Sequence, residues 1–294
     1  MLYYIIMVVA AFGCAGNFGI TKVYQLKQGN GRKASIRFNC FVGLFSAVVF
    51  WGISGFRFEI TPYSVVLAFL MALCSGGYTI IGFKIMSMGS MAVYTVFLML
   101  GGMMVPYIYG IIFLGESVTA TKIMAILFMV VAVVMQSVQE SKEKISTEYL
   151  LLCITCFFLN GGVSVISKVH QVEQQHAVVS PENFVLLKSL ISFLFWALLL
   201  FLIGKKTEEK KEVTFSVLVI ILASSVVGGF SYLLQLIAAS KLAATVQFPI
   251  MTGGTIVFSA LLGWKLFGEK LRKNQVISIF VCLIATVLFV IENS

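Results

Sequence analysis

The residues that could do chemistry in this 294-residue chain are polar side chains set within long apolar runs. Lys188 is the only ionisable side chain well inside such a run, five residues into a predicted span of 183–203. A lysine at the centre of a bilayer costs roughly 3 kcal/mol, so it faces a cavity or a partner unless it snorkels to the surface. Amides and hydroxyls in lipid likewise bind a solute or bond to a neighbouring helix. The candidate substrate-binding residues are Asn17, Tyr78, Asn160, Ser164, Lys188, Tyr232, Gln235, Gln247 and Thr252.

Other chemistries find little support in the residues. All twelve acidic residues are glutamate, and none lies at the centre of an apolar run, which disfavours calcium loops and a buried carboxylate that exchanges protons. Cys153 and Cys156 have CxxC spacing without a second pair, and His170 and His176 flank Glu173 in what reads as a short wetted loop. No Walker A loop and no cluster of acid, base and nucleophile is visible. We therefore expect no enzyme, no metal and no cofactor.

The composition is that of a membrane protein. Sixty per cent of the residues are apolar, 11% are charged, and the mean hydropathy is +1.01. A soluble chain of this length could not bury so much apolar surface, so the bilayer is the expected partner. The net charge of +9 is scattered over short loops, which disfavours nucleic acid. We expect a multi-pass protein of a cell membrane, specifically a bacterial inner (plasma) membrane.

Ten segments are long and apolar enough to approach the roughly 20 residues that a bilayer requires. Short polar loops separate them and leave no room for a soluble domain. The predicted spans are 2–21, 36–54, 64–85, 92–114, 122–138, 148–167, 183–203, 214–238, 246–267 and 275–291.

The chain contains an internal repeat marked by glycine pairs. Two diglycines 25 residues apart recur 152 positions later, and each second pair precedes an apolar run that ends in Gly-Glu. Five helices per copy is an odd number, so the copies enter the bilayer from opposite faces. We predict an all-α fold of two inverted five-helix repeats, at 1–140 and 146–292. The glycines are candidates for close helix packing and for hinge contacts: Gly76, Gly77, Gly101, Gly102, Gly228, Gly229, Gly253 and Gly254.

Glu116 and Glu269 close the fourth and ninth predicted helices. A carboxylate at a helix end reaches water, and Lys265 lies four residues before Glu269, where a weak ion pair is expected. We interpret both glutamates as helix-end residues that terminate the helix, cap neighbouring amides or fix topology. A role in coupling is the alternative.

Lysine and arginine predict the orientation. Sixteen of them follow odd-numbered helices and five lie elsewhere. The positive-inside rule then places both termini outside the cytoplasm.

Together these features resemble the drug/metabolite transporter superfamily, in particular its EamA-type transporters, over essentially the whole chain. In that family the Gly-Glu is followed by a glutamine and then a small residue, which Gln275 and Ser278 match; Lys122 and Ala125 match less closely after Glu116. Pro106 occupies the family's proline position in the fourth helix, whereas Ser259 stands there in the ninth. Many members are thought to keep both termini in the cytoplasm, which the charge count here opposes.

The prediction is a secondary transporter, specifically an exporter, of a small organic metabolite such as an amino acid or a related compound. It would work by alternating access, with one repeat rocking against the other. The alternative is a lipid or amphipathic-molecule flippase, or a membrane assembly subunit, of the same fold. A monomer and a homodimer are both open.

Overall fold

The computed structural model describes residues 1–29, 31–88, 91–137, 146–203, 213–268 and 273–291, and the regular structure within these ranges is helical. Ten helices follow one another with short connections. They are α1 (Leu2–Gln28), α2 (Arg32–Ile53), α3 (Pro62–Met88), α4 (Met91–Phe113), α5 (Ala120–Ser137), α6 (Thr147–Val172), α7 (Pro181–Ile203), α8 (Phe215–Ala239), α9 (Ala244–Phe267) and α10 (Lys273–Ile291).

The ten predicted spans are confirmed as helices, and several are longer than hydropathy suggests. Eight have the length and hydropathy to cross a membrane, while Ala120–Met135 and Lys273–Phe289 are shorter apolar helices. α1 and α6 continue past their apolar segments to Gln28 and Val172. Hydropathy marks only the lipid-facing part of a helix, so it misses polar turns that pack against neighbours. The chain is a multi-pass membrane protein.

Helix pairing repeats between the two halves. α1 packs on α8 and α9, and α6 packs on α3 and α4. The pair α2 with α8 has its counterpart in α7 with α3, while α2–α7, α4–α9 and α5–α10 each pair a helix with its own counterpart. Exchanging the first five helices for the last five therefore leaves these pairings unchanged. Because each half has five helices, the related halves run in opposite directions across the membrane.

Individual contacts obey the same relation. The rings of Tyr24 and Phe38 lie 4.5 Å apart between α1 and α2, and His170 and Phe184, each 146 residues later, lie 3.7 Å apart between α6 and α7. Gly115 and Gly268, 153 residues apart, both have φ of +64° and end α4 and α9 in the left-handed region that glycine favours. The boundaries 1–140 and 146–292 stay a prediction, since 138–145 lie outside the described residues.

Two related glycines lie at close approaches between helices. A Cβ at Gly101 of α4 would collide with the Phe157 carbonyl oxygen of α6. At the related position in α9, a Cβ at Gly254 would lie 2.7 Å from the Ala11 Cβ of α1. Backbones can approach this closely only where a side chain is missing. These contacts bring α4 onto α6 and α9 onto α1.

The remaining paired glycines also lie against neighbouring helices. A Cβ at Gly76 or Gly229 would enter the ring of Phe195 or Phe50 respectively. The other four would meet the following side chains: Gly77 meets Leu159, Gly102 meets Asn160, Gly228 meets Asn17, and Gly253 meets Met129.

The structural relation differs by one residue from the sequence match. Gly76 of α3 and Gly229 of α8 each face an aromatic ring. Gly101 faces α6, the first helix of the second half, and Gly254 faces α1, the first helix of the first half. The structurally equivalent glycines are therefore 153 residues apart, whereas the diglycines match in sequence at 152. One residue turns a helix by about 100°, so the other member of each pair faces a different neighbour. Only one glycine of each pair therefore has an equivalent in the other half.

Two polar residues beyond the predicted span 148–167 lie inside α6. His170 is 1% exposed, stacks on Phe184 and bonds through Nε2 to the Ser64 hydroxyl at 2.9 Å. Lys168 is 3% exposed. The wetted-loop interpretation was wrong for His170, because α6 continues to Val172 and its last turns pack on α3 and α8.

Glu173 does lie in the loop after α6. Its carboxylate accepts hydrogen bonds from the backbone N–H groups of Gln175 (2.7 Å) and His176 (3.2 Å). These bonds and one from the Tyr63 hydroxyl lower the pKa of Glu173 to about 2. His176 stacks on the Tyr63 ring with centroids 4.7 Å apart.

The close approach at Gly101 gives a first test. Gly101→Ala should lower the free energy of unfolding by about 1–3 kcal/mol, because the new methyl overpacks against the α6 backbone. Gly52→Ala is the matched control, since a Cβ there would meet nothing within 4 Å. Thermal unfolding in detergent, followed by circular dichroism, should show a lower Tm for Gly101→Ala alone. Equal Tm values for the two variants would contradict this packing.

Candidate functional site

The predicted binding residues fall into layers at different depths. We call the surface where α1 begins the terminal face; odd-numbered helices begin there and even-numbered helices end there. At 1.5 Å per residue, Lys188 lies about 10 Å from the start of α7, and Tyr232 lies about 10 Å from the end of α8. Ser164 and Thr252 lie about 12 Å deep by the same measure. These four residues form the upper layer.

Lys188 and Tyr232 are in direct contact in this layer. The Lys188 ammonium lies 4.5 Å from the centroid of the Tyr232 ring, which joins α7 to α8 below the terminal face. Both side chains are partly exposed at this depth, so neither is fully enclosed by its neighbours. The side chain of Lys188 thus meets a neighbouring helix at its own depth rather than the membrane surface.

Tyr232 is held in place from two sides. Its hydroxyl lies 2.9 Å from the Ser167 hydroxyl of α6 and 3.2 Å from the Met71 sulfur of α3. A phenol fixed at its oxygen keeps its ring in one position. Three helices therefore fix the aromatic surface that the ammonium of Lys188 faces.

The charge of Lys188 is left without a counter-ion among the described residues. Its ammonium makes no ion pair or hydrogen bond with them and has only the Tyr232 ring for a partner. A cation–π contact contributes about 0.5–2 kcal/mol, against roughly 3 kcal/mol or more for a lysine within the bilayer. The contact alone does not offset the cost of the charge. An anionic group placed beside Lys188 would supply the remaining stabilisation of its charge.

The fold does not require a lysine at this point. Val42 of α2 stands 146 residues before Lys188, and Thr79 of α3 stands 153 residues before Tyr232. The related positions thus carry a small aliphatic and a small hydroxyl side chain. The cation and its aromatic partner belong to one half only, so function rather than packing explains them better.

Asn17 and Asn160 lie deeper and face helices rather than each other. The Asn17 side-chain oxygen accepts a hydrogen bond of 2.6 Å from Ser224 of α8, and the Asn160 amide donates to the Leu98 carbonyl of α4 at 2.7 Å. Both asparagines are partly exposed. Hydrogen bonds between helices therefore occupy part of the hydrogen-bonding capacity of each amide. Bonding to a neighbouring helix was the alternative to binding a solute.

The two glutamines lie nearer the terminal face. Gln247 of α9 donates to the Gln235 carbonyl of α8 at 3.0 Å, and its own side-chain oxygen is buried without a hydrogen-bond partner. Buried acceptors of this kind are usually paired with water or a solute.

Thr252 and Tyr78 are partly exposed, and Tyr78 packs among the residues of α3, α4 and α6. The structure thus groups Lys188, Tyr232, Ser164 and Thr252 by depth and leaves Asn17, Asn160 and Tyr78 in a lower layer.

Glu116 caps a helix of the opposite half. Gly115 ends α4, and the carboxylate that follows accepts hydrogen bonds from the backbone N–H groups of Ala244 (2.6 Å) and Thr245 (2.8 Å) at the start of α9. A carboxylate at a helix N-terminus is favoured by the helix dipole. Glu269 lies outside the described residues.

Lys168 is a functional candidate that the sequence reasoning missed. Its ammonium donates to the carbonyl oxygens of Ala239 (2.7 Å) and Leu242 (2.5 Å) at the end of α8. It was counted only as a surface charge, because it follows the apolar part of α6. The sequence feature that could have pointed to Lys168 is its position in the repeat, where Ser167-Lys168 matches Thr21-Lys22.

These features define a multi-pass membrane protein with inverted halves around a polar layer that holds one lysine without a counter-ion among the described residues. The family model of the EamA-like transporter family matches residues 147–291. This second half of the chain therefore belongs to that family, as the Gly-Glu motifs and the repeat predicted. The family membership supports a transporter role.

A solved structure shows that the fold extends over the whole chain. The protein, described only as "Crystal structure of protein", is 12% identical and superposes with a TM-score of 0.76 over 97% of this chain and 96% of its own. Identity this low relates the folds alone. No curated protein matches the chain.

The exposure of Lys188 can be measured by cysteine labelling. In a cysteine-free background, Lys188→Cys should react with a water-soluble maleimide at least tenfold faster than Ser189→Cys. Ser189 is the adjacent residue and is 5% exposed, so it serves as the matched buried control. Equal rates at the two positions would show that Lys188 does not border a hydrated cavity.

Proposed function

We propose that the protein is a secondary transporter that exports a small organic metabolite bearing a carboxylate, such as an amino acid or a related compound. The observation that carries the proposal is the ammonium of Lys188 against the Tyr232 ring, about 10 Å below the terminal face and without a described counter-ion. A carboxylate beside this ammonium would replace the missing counter-ion, while the ring offers a surface for the apolar part of the solute.

The inverted halves support alternating access. Because the most extensive helix pairings are related by exchange of the halves, two arrangements related in the same way would have similar packing. A solute bound between the halves would then be exposed to one face at a time. We propose export as the direction of transport, which vesicles of known orientation can distinguish from import.

The polar residues at the depth of Lys188 favour a compact, zwitterionic or anionic solute. Ser164 and Thr252 add hydroxyls at nearly the same depth, and neither is committed to a hydrogen bond with a described residue. Hydroxyls can accept from an ammonium or donate to a carboxylate. An organic cation would meet the charge of Lys188 without a described carboxylate to offset it.

The role of Lys188 can be tested in proteoliposomes. Lys188→Ala should reduce counterflow of carboxylate solutes at least tenfold, because a charge-assisted bond contributes about 1.5–3 kcal/mol. Lys188→Arg should keep part of the activity, since it preserves the charge. Lys273→Ala, at an exposed lysine at the start of α10, is the matched control and should behave like the wild type.

Several outcomes would contradict this function. Transport of an organic cation that survives Lys188→Ala would overturn the substrate class. Scrambling of a fluorescent phospholipid without metabolite counterflow would favour a flippase instead. Accumulation in right-side-out vesicles, with none in inverted vesicles, would reverse the proposed direction.

The aromatic partner gives an independent test. Tyr232→Phe keeps the ring beneath the Lys188 ammonium but loses the bonds to Ser167 and Met71, whereas Tyr232→Leu loses the ring. The apparent KM for the carboxylate solute should therefore rise more in Tyr232→Leu than in Tyr232→Phe. Equal KM values in both variants would show that the ring is not part of the binding site.

A further inference from the structure

Two charged side chains hold the turn between α8 and α9 from opposite sides. This turn, residues 240–243, joins the end of α8 to the start of α9 at the terminal face. Lys168 donates to carbonyl oxygens at the end of α8, and Glu116 accepts from amides at the start of α9. Each charge has the sign that the dipole of its helix end favours.

The two anchors come from different parts of the fold. Lys168 lies on α6, in the same half as the turn, whereas Glu116 follows α4 in the other half. The contact of Glu116 with α9 therefore joins the two halves at the terminal face. A motion that separates the halves at this face must break it.

The anchored turn lies directly above the upper layer. Tyr232 is seven residues before the end of α8, and Thr252 is eight residues after the start of α9, so both lie about 10–12 Å beneath the turn. Displacing the turn would move the start of α9 and the end of α8, the helix whose Tyr232 contacts Lys188. The turn thus lies between these two residues and the terminal face.

The geometry at Gly110 leaves Glu116 little freedom. A Cβ at Gly110 would lie 2.6 Å from the Glu116 carboxylate and 3.1 Å from the Ala244 Cβ. The Gly110 carbonyl also accepts the backbone N–H of Glu116 at 3.0 Å. The end of α4 and the start of α9 are therefore in close contact around this carboxylate.

We propose that Glu116 and Lys168 are positioning residues that lock the α8–α9 turn and keep the upper layer closed at the terminal face. Opening to this face requires release of the Glu116 contact with α9. The inference extends the proposed alternating access, but it concerns access to the layer and holds for any cargo.

The test measures access without a cargo. Ser164→Cys in a cysteine-free background reports on the upper layer, and a membrane-impermeant maleimide is applied to each face of oriented vesicles in turn. Adding Glu116→Gln, or Lys168→Met, should raise labelling from the terminal face at least tenfold and lower it from the other face. The glutamine side chain has one acceptor oxygen instead of two and carries no charge, so Glu116→Gln weakens the hold on the α9 amides. Lys168→Arg should restore slow labelling, since it can donate to the same carbonyls.

A control separates the lock from general loosening. Glu148→Gln breaks an exposed ion pair of 2.6 Å with Lys84 at the opposite face and should leave labelling from the terminal face unchanged. Labelling in Glu116→Gln that stays at the parent rate, or that rises equally from both faces, would overturn the proposal. Because no cargo is used, loss of metabolite transport in the earlier experiments would leave this result intact.

Discussion

Two close approaches between helices, α4 on α6 and α9 on α1, help to hold the two halves together. Gly101 and Gly254 allow them, since any side chain at these points would strike the facing helix. Each contact joins a helix of one half to a helix of the other. The interface between the halves therefore rests on missing side chains, and lipid supplies no hydrophobic force that could replace this packing.

The charge distribution breaks the symmetry that the backbone keeps. The paired rings of Tyr24–Phe38 and His170–Phe184 repeat between the halves, as do the glycine turns that end α4 and α9. Lys188 has no such counterpart, because Val42 stands at the related position. Shared features therefore belong to the scaffold, and the feature found once is the one on which the proposed function rests.

Much of the fold was predictable from the sequence, whereas the contacts of the site were not. Ten apolar runs and the repeated Gly-Glu predicted the helices and their inverted arrangement, since bilayer thickness fixes the length of a span. Lys168 and His170 were misassigned because hydropathy ends a span where polar residues begin, while the α6 helix continues to Val172. The role of Glu116 depends on amides 128 and 129 residues away, which no local pattern can reveal.

The cap that Glu116 provides also orders the assembly of the molecule in time. A chain is synthesised from its N-terminus, so α4 and its glutamate are made well before the first turn of α9. Until α9 inserts, this carboxylate has no helix end to accept from, and water must solvate it at the membrane surface. Until then, the Glu116 carboxylate at the end of α4 lacks the α9 amides that it caps. The cap can form only after the ninth helix has reached the membrane.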